Sequence, residues 1–299
     1  MNIHFDDMHI VCILGAMDPE MQTIKTLLEK LEDCVIFPAK STDGRLVYAG
    51  NAYQADFDRT IGNYNLKLNE ITILIECNFN NISLAHSIHI DHHRPGDFGY
   101  CRPPVEFWQA SSLGQICKLI GVEPTPELQL VAAADHCLAA AYAGQCPEIN
   151  PNKLMEWRVA SRAAFQKRSI EEVIADVQAA KKLIEETIAK NKFVYLTPCT
   201  GGMDDFEHST HCGCPLWGTG YHPVLDLRGA TIPELPEAAA LLGQPILAGP
   251  LACPDGRQKF VLQSAGRELI IAWLTNNEPP EIVNRYGDPE RGFAGGYLK

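Results

Sequence analysis

The stretch Ser87-Ile-His-Ile-Asp91-His92-His93-Arg94-Pro95-Gly96-Asp97 decides the predicted fold. Residues 87–90 alternate between polar and apolar side chains, which predicts a β-strand, and Pro95-Gly96 predicts a turn directly after it. The strand ends in an acid, two histidines and an arginine. Because ligands of α/β proteins bind outside the carboxyl ends of the strands, we expect a functional site at this strand end.

The residue types at this strand end favour metal and phosphate chemistry. Neutral imidazole and carboxylate together suit divalent transition metals such as manganese, iron or zinc. The guanidinium of Arg94 beside them suits a phosphate group. A histidine pair after a strand is also typical of an ordinary polar turn, so the rest of the chain must decide between the two interpretations.

Length and charge limit the class of protein. The chain has 299 residues and a mass of 33.0 kDa, which is enough for two domains. Its net charge of −12 argues against an electrostatic grip on long duplex nucleic acid. A small anionic substrate is still compatible with this net charge, because a few local basic residues or a metal ion can hold it.

The compartment is predicted from three features of the sequence. No apolar run approaches the roughly 20 residues that a membrane span needs, so no membrane partner is expected. The N-terminus has no basic segment of the kind that begins a signal peptide. The 11 cysteines are an odd number and lie mostly in apolar runs, which indicates reduced core thiols and a cytoplasmic protein.

Taken in order, the chain alternates short apolar strands with amphipathic helices, and the predicted fold class is α/β. The sequence predicts two domains joined by a linker: a parallel-sheet domain over residues 1–150, a helical linker over 151–192 and a smaller α/β domain over 193–299. The predicted elements are strands at 9–14, 34–38, 71–75, 87–90, 193–196, 245–251 and 259–263, and helices at 21–31, 108–120, 127–142, 170–190, 235–242 and 280–286.

Acids and histidines recur where these elements end. Asp18 and Glu20 follow the first strand, Glu76 follows the buried strand 71–75, and Asp135 lies in an apolar helix. Together with His92 they have the layout of a carboxylate-bridged metal cluster. Two ions about 3.5–4 Å apart in such a cluster can clamp a phosphoryl group for in-line attack by water.

These motifs resemble those of the DHH phosphoesterase superfamily, whose members include single-strand exonucleases, short-oligonucleotide and cyclic-dinucleotide hydrolases, and type II inorganic pyrophosphatases. The segment Ile88–Pro95 resembles the motif that names the family, and residues 110–116 resemble the helix that follows it. Residues 17–20 resemble the first metal motif, Glu76 stands in the place of the bridging Asp, and Asp135 in that of the fourth-motif Asp.

The resemblance implies a metal-dependent phosphodiesterase that uses one or two Mn²⁺ or Mg²⁺ ions on a small nucleotide or short single-stranded oligonucleotide. It implies His92, His93 and Arg94 as catalytic residues and Asp18, Glu20, Glu76, His92 and Asp135 as metal ligands. The C-terminal third resembles the associated substrate-binding domain, which favours the oligonucleotide type over the pyrophosphatase. It implies substrate contacts from Ser264, Arg291, Gly292 and Gly295. The oligomeric state stays open, with a homodimer as one option.

The chain also departs from the family pattern. Leu14 stands where the first motif has a metal-binding histidine, and Glu20 and Glu76 are each one methylene longer than the family's Asp. One ion site has therefore lost a ligand. The alternative is a catalytically impaired relative that binds a nucleotide or a protein partner without turnover.

A second cluster of metal-binding residue types lies in the glycine-rich stretch between residues 198 and 222. Cysteine and histidine at this spacing can hold tetrahedral zinc, and the candidate ligands are Cys199, His208, His211, Cys212 and Cys214. The stretch lacks paired Cys-x2-Cys hooks, so a mobile polar loop is an equal alternative, and a docking surface for a protein partner is a third.

Overall fold

The computed structural model describes residues 9–67, 70–84, 87–196, 222–253, 256–275, 281–289 and 291–299. The predicted zinc ligands Cys199, His208, His211, Cys212 and Cys214 lie outside these residues. The chain divides into two compact units, Met1–Ser161 and Arg162–Lys299. This division falls inside the predicted helical linker. No helix in the described ranges combines the length and apolar character that a membrane crossing requires.

The first unit contains four strands and most of the helices that surround them. Its elements are β1 (His9–Leu14), α1 (Pro19–Leu28), β2 (Cys34–Pro38), α2 (Phe57–Ile61), β3 (Glu70–Ile75), β4 (Ser87–Ile90), α3 (Phe107–Ala110), α4 (Ser112–Ile120), α5 (Pro126–His136), α6 (Leu138–Tyr142) and the greater part of α7 (Pro151–Gln166).

The four strands form one parallel sheet in the order β2-β1-β3-β4, so the predicted parallel-sheet α/β architecture is confirmed for this unit. Leu14 pairs with Ile75, and Ile75 pairs with Ile90. The residues that follow these three strands therefore leave the sheet at the same level. The strand order changes direction at β1, and such a switch point is where ligands bind in open parallel sheets.

Both faces of the sheet are covered, as its nearly continuous apolar strands require. On one face, side chains of β1 and β3 such as Cys12 and Ile73 pack in an apolar cluster with residues of α1, α4 and α5. On the other face, Val11, Ile13 and Leu74 pack on the segment that precedes α2. The sheet is therefore a rigid support for the side chains at its carboxyl edge.

Two helices that the sequence predicts as continuous are broken. Ser111 is extended between α3 and α4, and its hydroxyl accepts the Gly114 N–H as an N-cap. Cys137 leaves helical geometry (φ −152°, ψ 53°) and separates α5 from α6. The second break ends α5 one residue after Asp135, so this carboxylate lies at the end of a helix and not in its middle.

The second unit contains α8 (Ile170–Ala189), β5 (Phe193–Leu196), β6 (His222–Arg228), α9 (Leu235–Leu242), β7 (Ile246–Ala252), β8 (Gln258–Gln263), α10 (Arg267–Thr275), β9 (Ile282–Asp288) and β10 (Phe293–Leu298). Its mixed sheet has the order β5-β6-β7-β8-β10-β9. Helices α8 and α9 share an apolar cluster with one face of this sheet, and α10 packs in a second cluster.

The helix predicted for residues 280–286 is wrong, because Ile282–Asp288 form strand β9. This strand pairs antiparallel with β10, for example Tyr286 with Gly295. Strand formation depends on packing against a partner strand, and here the long-range pairing with β10 overrides the local pattern.

The close approach of β1 and β3 at their carboxyl ends gives a testable prediction. A Cβ atom on Gly15 would lie 2.4 Å from the backbone oxygen of Glu76, so no side chain fits there. Overpacking of this kind typically costs about 1–3 kcal/mol. We expect Gly15→Ala to lower the opening free energy of amides in β1 and β3 by about that amount, measured by hydrogen–deuterium exchange.

The same experiment contains its control, because strands of the second unit such as β7 and β8 should exchange at unchanged rates in the variant. Equal protection of β1 and β3 in the wild type and in Gly15→Ala would contradict the packing described for these strand ends.

Candidate metal centre

Four side chains meet at the carboxyl edge of the parallel sheet. Glu76, His92, His93 and Asp135 each offer one ligand atom, and these atoms all lie within 4.8 Å of one another. Nε2 of His92 is 3.3 Å from Glu76 Oε1 and 3.1 Å from Asp135 Oδ2. Nδ1 of His93 is 4.0 Å from Glu76 Oε1. We refer to these residues as the acid–histidine cluster.

The cluster fits a divalent cation in spacing, burial and donor type. Ligands about 2.0–2.2 Å from one ion are about 3.0–3.5 Å apart when they are neighbours, which matches the distances around His92. His92 is 0% and Glu76 6% exposed, whereas Asp135 is partly open to solvent. Imidazole and carboxylate donors accommodate several divalent metals, so the donor set alone does not select among them.

Glu76 is held in an unusual backbone conformation. Its φ angle is 51°, in the left-handed region that a residue with a side chain rarely adopts. Its backbone N–H donates to the Ile90 carbonyl at 3.0 Å, and its own carbonyl leaves no room for a side chain on Gly15. Such backbone strain persists only where the surroundings enforce it and is frequent at functional sites.

The pKa of Glu76 follows from the two histidines. Burial raises it, but the charge of His93 and the hydrogen bond and charge of His92 outweigh burial and lower the pKa below its ordinary value. Glu76 is therefore held as a carboxylate, the form that binds a cation.

Asp91 positions the two histidines of the cluster by hydrogen bonds and is not one of its four ligand residues. Its Oδ1 accepts the backbone N–H of His92 at 2.7 Å and of His93 at 3.0 Å, and it lies 3.0 Å from Nδ1 of His93. Its Oδ2 accepts the hydroxyl of Tyr53 at 2.7 Å. Burial acts to raise the pKa of Asp91, but its hydrogen bond from His93, the His93 charge and the Tyr53 hydroxyl outweigh it and lower the pKa.

His92 is fixed by close packing as well as by hydrogen bonds. A Cβ atom on Gly99 would lie 2.5 Å from Cβ of His92 and 2.0 Å from the carbonyl oxygen of Ala110, so this glycine lets two backbone segments close on the histidine. The side-chain amide of Gln115 donates to the carbonyls of Asp91 and Ala110. No role was predicted for Gly99 from the sequence, although a glycine shortly after the histidine pair is a signal of close packing.

Arg94 is exposed beside the cluster and stacks on an aromatic ring. Its guanidinium carbon lies 3.2 Å from the ring centroid of Tyr53, whose hydroxyl donates to Asp91. A guanidinium over an aromatic face keeps N–H groups that can donate hydrogen bonds to an anion. Tyr53 lies in the polar stretch 39–68, for which the sequence predicts no more than a possible helix, and no local pattern there indicates its contact with Asp91.

Asp18 and Glu20, the other two predicted ligands, stand next to the cluster but outside its four ligand residues. Oδ1 of Asp18 accepts the Met21 N–H as the N-cap of α1. Oε1 of Glu20 accepts the Leu113 N–H at 3.0 Å, which ties α1 to α4. Among the described residues, no hydrogen-bond partner reaches the buried Oε2 of Glu20.

The pKa values of these two acids are raised. Burial, followed by the negative charges of Asp135 and Glu76, raises the pKa of Asp18 to about 8. Burial and the charges of Asp135, Glu76 and Asp18 raise the pKa of Glu20 well above its ordinary value. The carboxylates at this sheet edge therefore repel one another strongly in the absence of a compensating cation.

Leu14, the departure noted in the first motif, is fully buried in the apolar cluster between the sheet and α1. His9 lies at the opposite end of β1, where its Nδ1 is 3.5 Å from Asp33. The structure thus places no imidazole on β1 next to the acid–histidine cluster.

Three of the predicted substrate-binding residues of the second unit, Ser264, Arg291 and Gly292, lie where β8 ends and β10 begins. Ser264 (φ 55°) and Gly292 (φ 61°) are both left-handed, and the Gly292 carbonyl accepts the N–H of the residue after Ser264. The Ser264 hydroxyl donates to the Ala239 carbonyl, and the Arg291 N–H donates to Asp288. Gly295 lies within β10, where Tyr286 occupies the space of a side chain.

Comparison with protein-family models, with curated proteins and with solved structures gives no match. The function proposed below is therefore inferred from the chemistry of the chain's own residues.

The raised pKa of Asp18 predicts how stability depends on pH. Between its unfolded value of 3.8 and its folded value of about 8, the folded protein binds more protons than the unfolded chain, so stability falls as pH rises through about 8. Asp18→Asn keeps an N-cap side chain but cannot ionise. With a chelator present, we expect its free energy of unfolding to fall less between pH 6 and pH 9 than that of the wild type, measured by urea denaturation.

Glu20 titrates in the same direction, so the substitution should weaken the pH dependence without abolishing it. An identical dependence in the two proteins would show that Asp18 is not electrostatically coupled to the acid–histidine cluster.

Proposed function

We propose that the chain is a metal-dependent phosphodiesterase that hydrolyses short oligonucleotides or small nucleotides, as the resemblance to the DHH phosphoesterases implies. The observation that carries the proposal is the convergence of Glu76, His92, His93 and Asp135 at the carboxyl edge of a parallel sheet. Arg94 stands exposed beside them and supplies the positive charge that an anionic substrate needs.

Glu76, His92 and Asp135 are the residues we assign to holding the ion, with Mn²⁺ or Mg²⁺ as the proposed metals. Three protein ligands with further positions left open are typical of catalytic metal sites. When bound, a divalent ion supplies Lewis acidity, which neutralises charge on a phosphoryl group and makes a water molecule more acidic.

His93 is assigned to proton transfer. It is only partly buried, with 29% of its side chain exposed, and its Nδ1 is anchored on Asp91. Asp91 thereby fixes the orientation of the ring, as a carboxylate does for a general acid–base histidine. The remaining nitrogen of His93 is available to hold a proton for a leaving oxygen.

Substrate selection is assigned to basic groups outside the ligand set. The guanidinium of Arg94 is held on the face of Tyr53, so it loses little freedom when it binds a phosphate. In the second unit, Ser264, Arg291 and Gly292 remain proposed contacts for the phosphate or base of the substrate.

The described cysteines form no disulfides, which fits a cytoplasmic location.

A second candidate function is favoured by Leu14, Asp18 and Glu20. Leu14 is packed in the core, and the two acids serve as a helix cap and as a tie between helices. Only one complete group of ligands is therefore present in the described part of the chain. A protein with this site can bind an ion and a nucleotide without turnover.

The proposal predicts that His92→Ala loses metal binding and hydrolysis together. Removal of a direct ligand should lower Mn²⁺ affinity by more than the roughly 10- to 100-fold that loss of an outer partner causes. Isothermal titration with Mn²⁺, run beside hydrolysis of a short oligonucleotide, measures both. His89→Ala is the matched control, because His89 lies on the same strand but is exposed, near Ser87.

Mn²⁺ binding by His92→Ala with wild-type affinity would contradict the metal-centre assignment. Tight Mn²⁺ and nucleotide binding by the wild type with no cleavage would instead select the non-catalytic binder over the phosphodiesterase.

A further inference from the structure

His136 lies directly after Asp135 and is buried, with 1% of its surface exposed. Its Nδ1 is 2.9 Å from Nδ1 of His92, and its Nε2 is 3.3 Å from the carbonyl oxygen of Arg102. The two imidazole rings are stacked, with centroids 5.1 Å apart and planes inclined by 21°. His136 therefore contacts the side of the His92 ring that faces away from Glu76 and Asp135.

These contacts determine where the protons lie on the two rings. The Arg102 carbonyl can only accept, so Nε2 of His136 carries the hydrogen. A neutral imidazole has one N–H, which makes Nδ1 of His136 an acceptor. Nδ1 of His92 must then donate to it. Nε2 of His92 donates to Glu76 while it carries a proton, and it presents its lone pair to an ion when that proton is given up. That atom is the one near Glu76 and Asp135.

We propose that His136 is a positioning residue that fixes His92 in the tautomer and ring orientation required for binding a metal ion through Nε2. Metal-binding histidines usually donate their other N–H to an oxygen acceptor, and here a second imidazole, itself anchored on a backbone carbonyl, takes that role. The inference rests on the proposed metal-binding function and assigns His136 no contact with the ion or the substrate.

The end of α5 couples the position of His136 to that of Asp135. Asp135 and His136 are consecutive, so one helix end supplies both a ligand and the residue that orients a second ligand. The non-helical backbone of Cys137 ends the helix at this point. A shift of this helix end therefore moves both parts of the site together.

Two substitutions separate hydrogen bonding from packing. In His136→Asn, the amide oxygen can take the place of Nδ1 as acceptor, whereas His136→Leu fills the space without an acceptor. We expect the leucine variant to bind Mn²⁺ about 10- to 100-fold more weakly than the wild type in isothermal titration. The asparagine variant should retain affinity within a few fold. Thermal melting in the presence of a chelator identifies any variant that fails to fold.

A second measurement reads the tautomer directly and does not depend on activity. Long-range ¹⁵N–¹H spectra of the zinc-loaded wild-type protein should show His92 with its proton on Nδ1 and zinc on Nε2. The His92 signals are identified by their absence in His92→Ala. A proton on Nε2 of His92, with zinc on Nδ1, would overturn the proposal.

The outcomes distinguish the role of His136 from the proposed metal binding. Mn²⁺ binding by the leucine variant with wild-type affinity would overturn the role of His136 alone. Failure of the wild-type protein to bind Mn²⁺ or Zn²⁺ would overturn the proposed function and this inference with it. Rescue by asparagine but not by leucine supports the assignment.

Discussion

Electrostatic repulsion among buried carboxyl groups is the constraint on which this site depends. Glu76 and Glu20 are almost completely buried, and Asp18 and Asp135 add their charges to the same sheet edge. An unpaired buried carboxylate costs several kcal/mol, so such a group persists where protons, hydrogen-bond donors or cations offset the cost. The neighbouring histidines stabilise the Glu76 carboxylate, whereas burial, followed by the charges of Asp135 and Glu76, raises the pKa values of Asp18 and Glu20.

The backbone at the strand ends holds these charges close together. The register of the parallel sheet brings the residues after β1, β3 and β4 to one level, and Gly15 allows β1 to close on Glu76. Gly99 likewise allows the backbone to pack closely against His92. The positive φ of Glu76 belongs to this arrangement: the stability of the surrounding sheet maintains a strained residue whose side chain faces the cluster.

The parallel sheet follows from the apolar runs of β1 and β3, and the strand that precedes Asp91 follows from the alternation of polar and apolar residues. The remaining parts depend on contacts between residues far apart in the chain. Tyr53 and Asp91 are 38 residues apart, and His92 and His136 are 44 apart, so no local pattern predicts either hydrogen bond. The breaks at Ser111 and Cys137 and the pairing of β9 with β10 were missed for the same reason: tertiary packing overrides local propensity.

The central claim is that the acid–histidine cluster binds a divalent cation, and anomalous diffraction at the manganese absorption edge tests it most directly. Crystals grown with Mn²⁺ should show an anomalous peak within bonding distance of Nε2 of His92 and of carboxylate oxygens of Glu76 and Asp135. A map with no peak at this position, from crystals in which the three side chains are well ordered, would contradict the account.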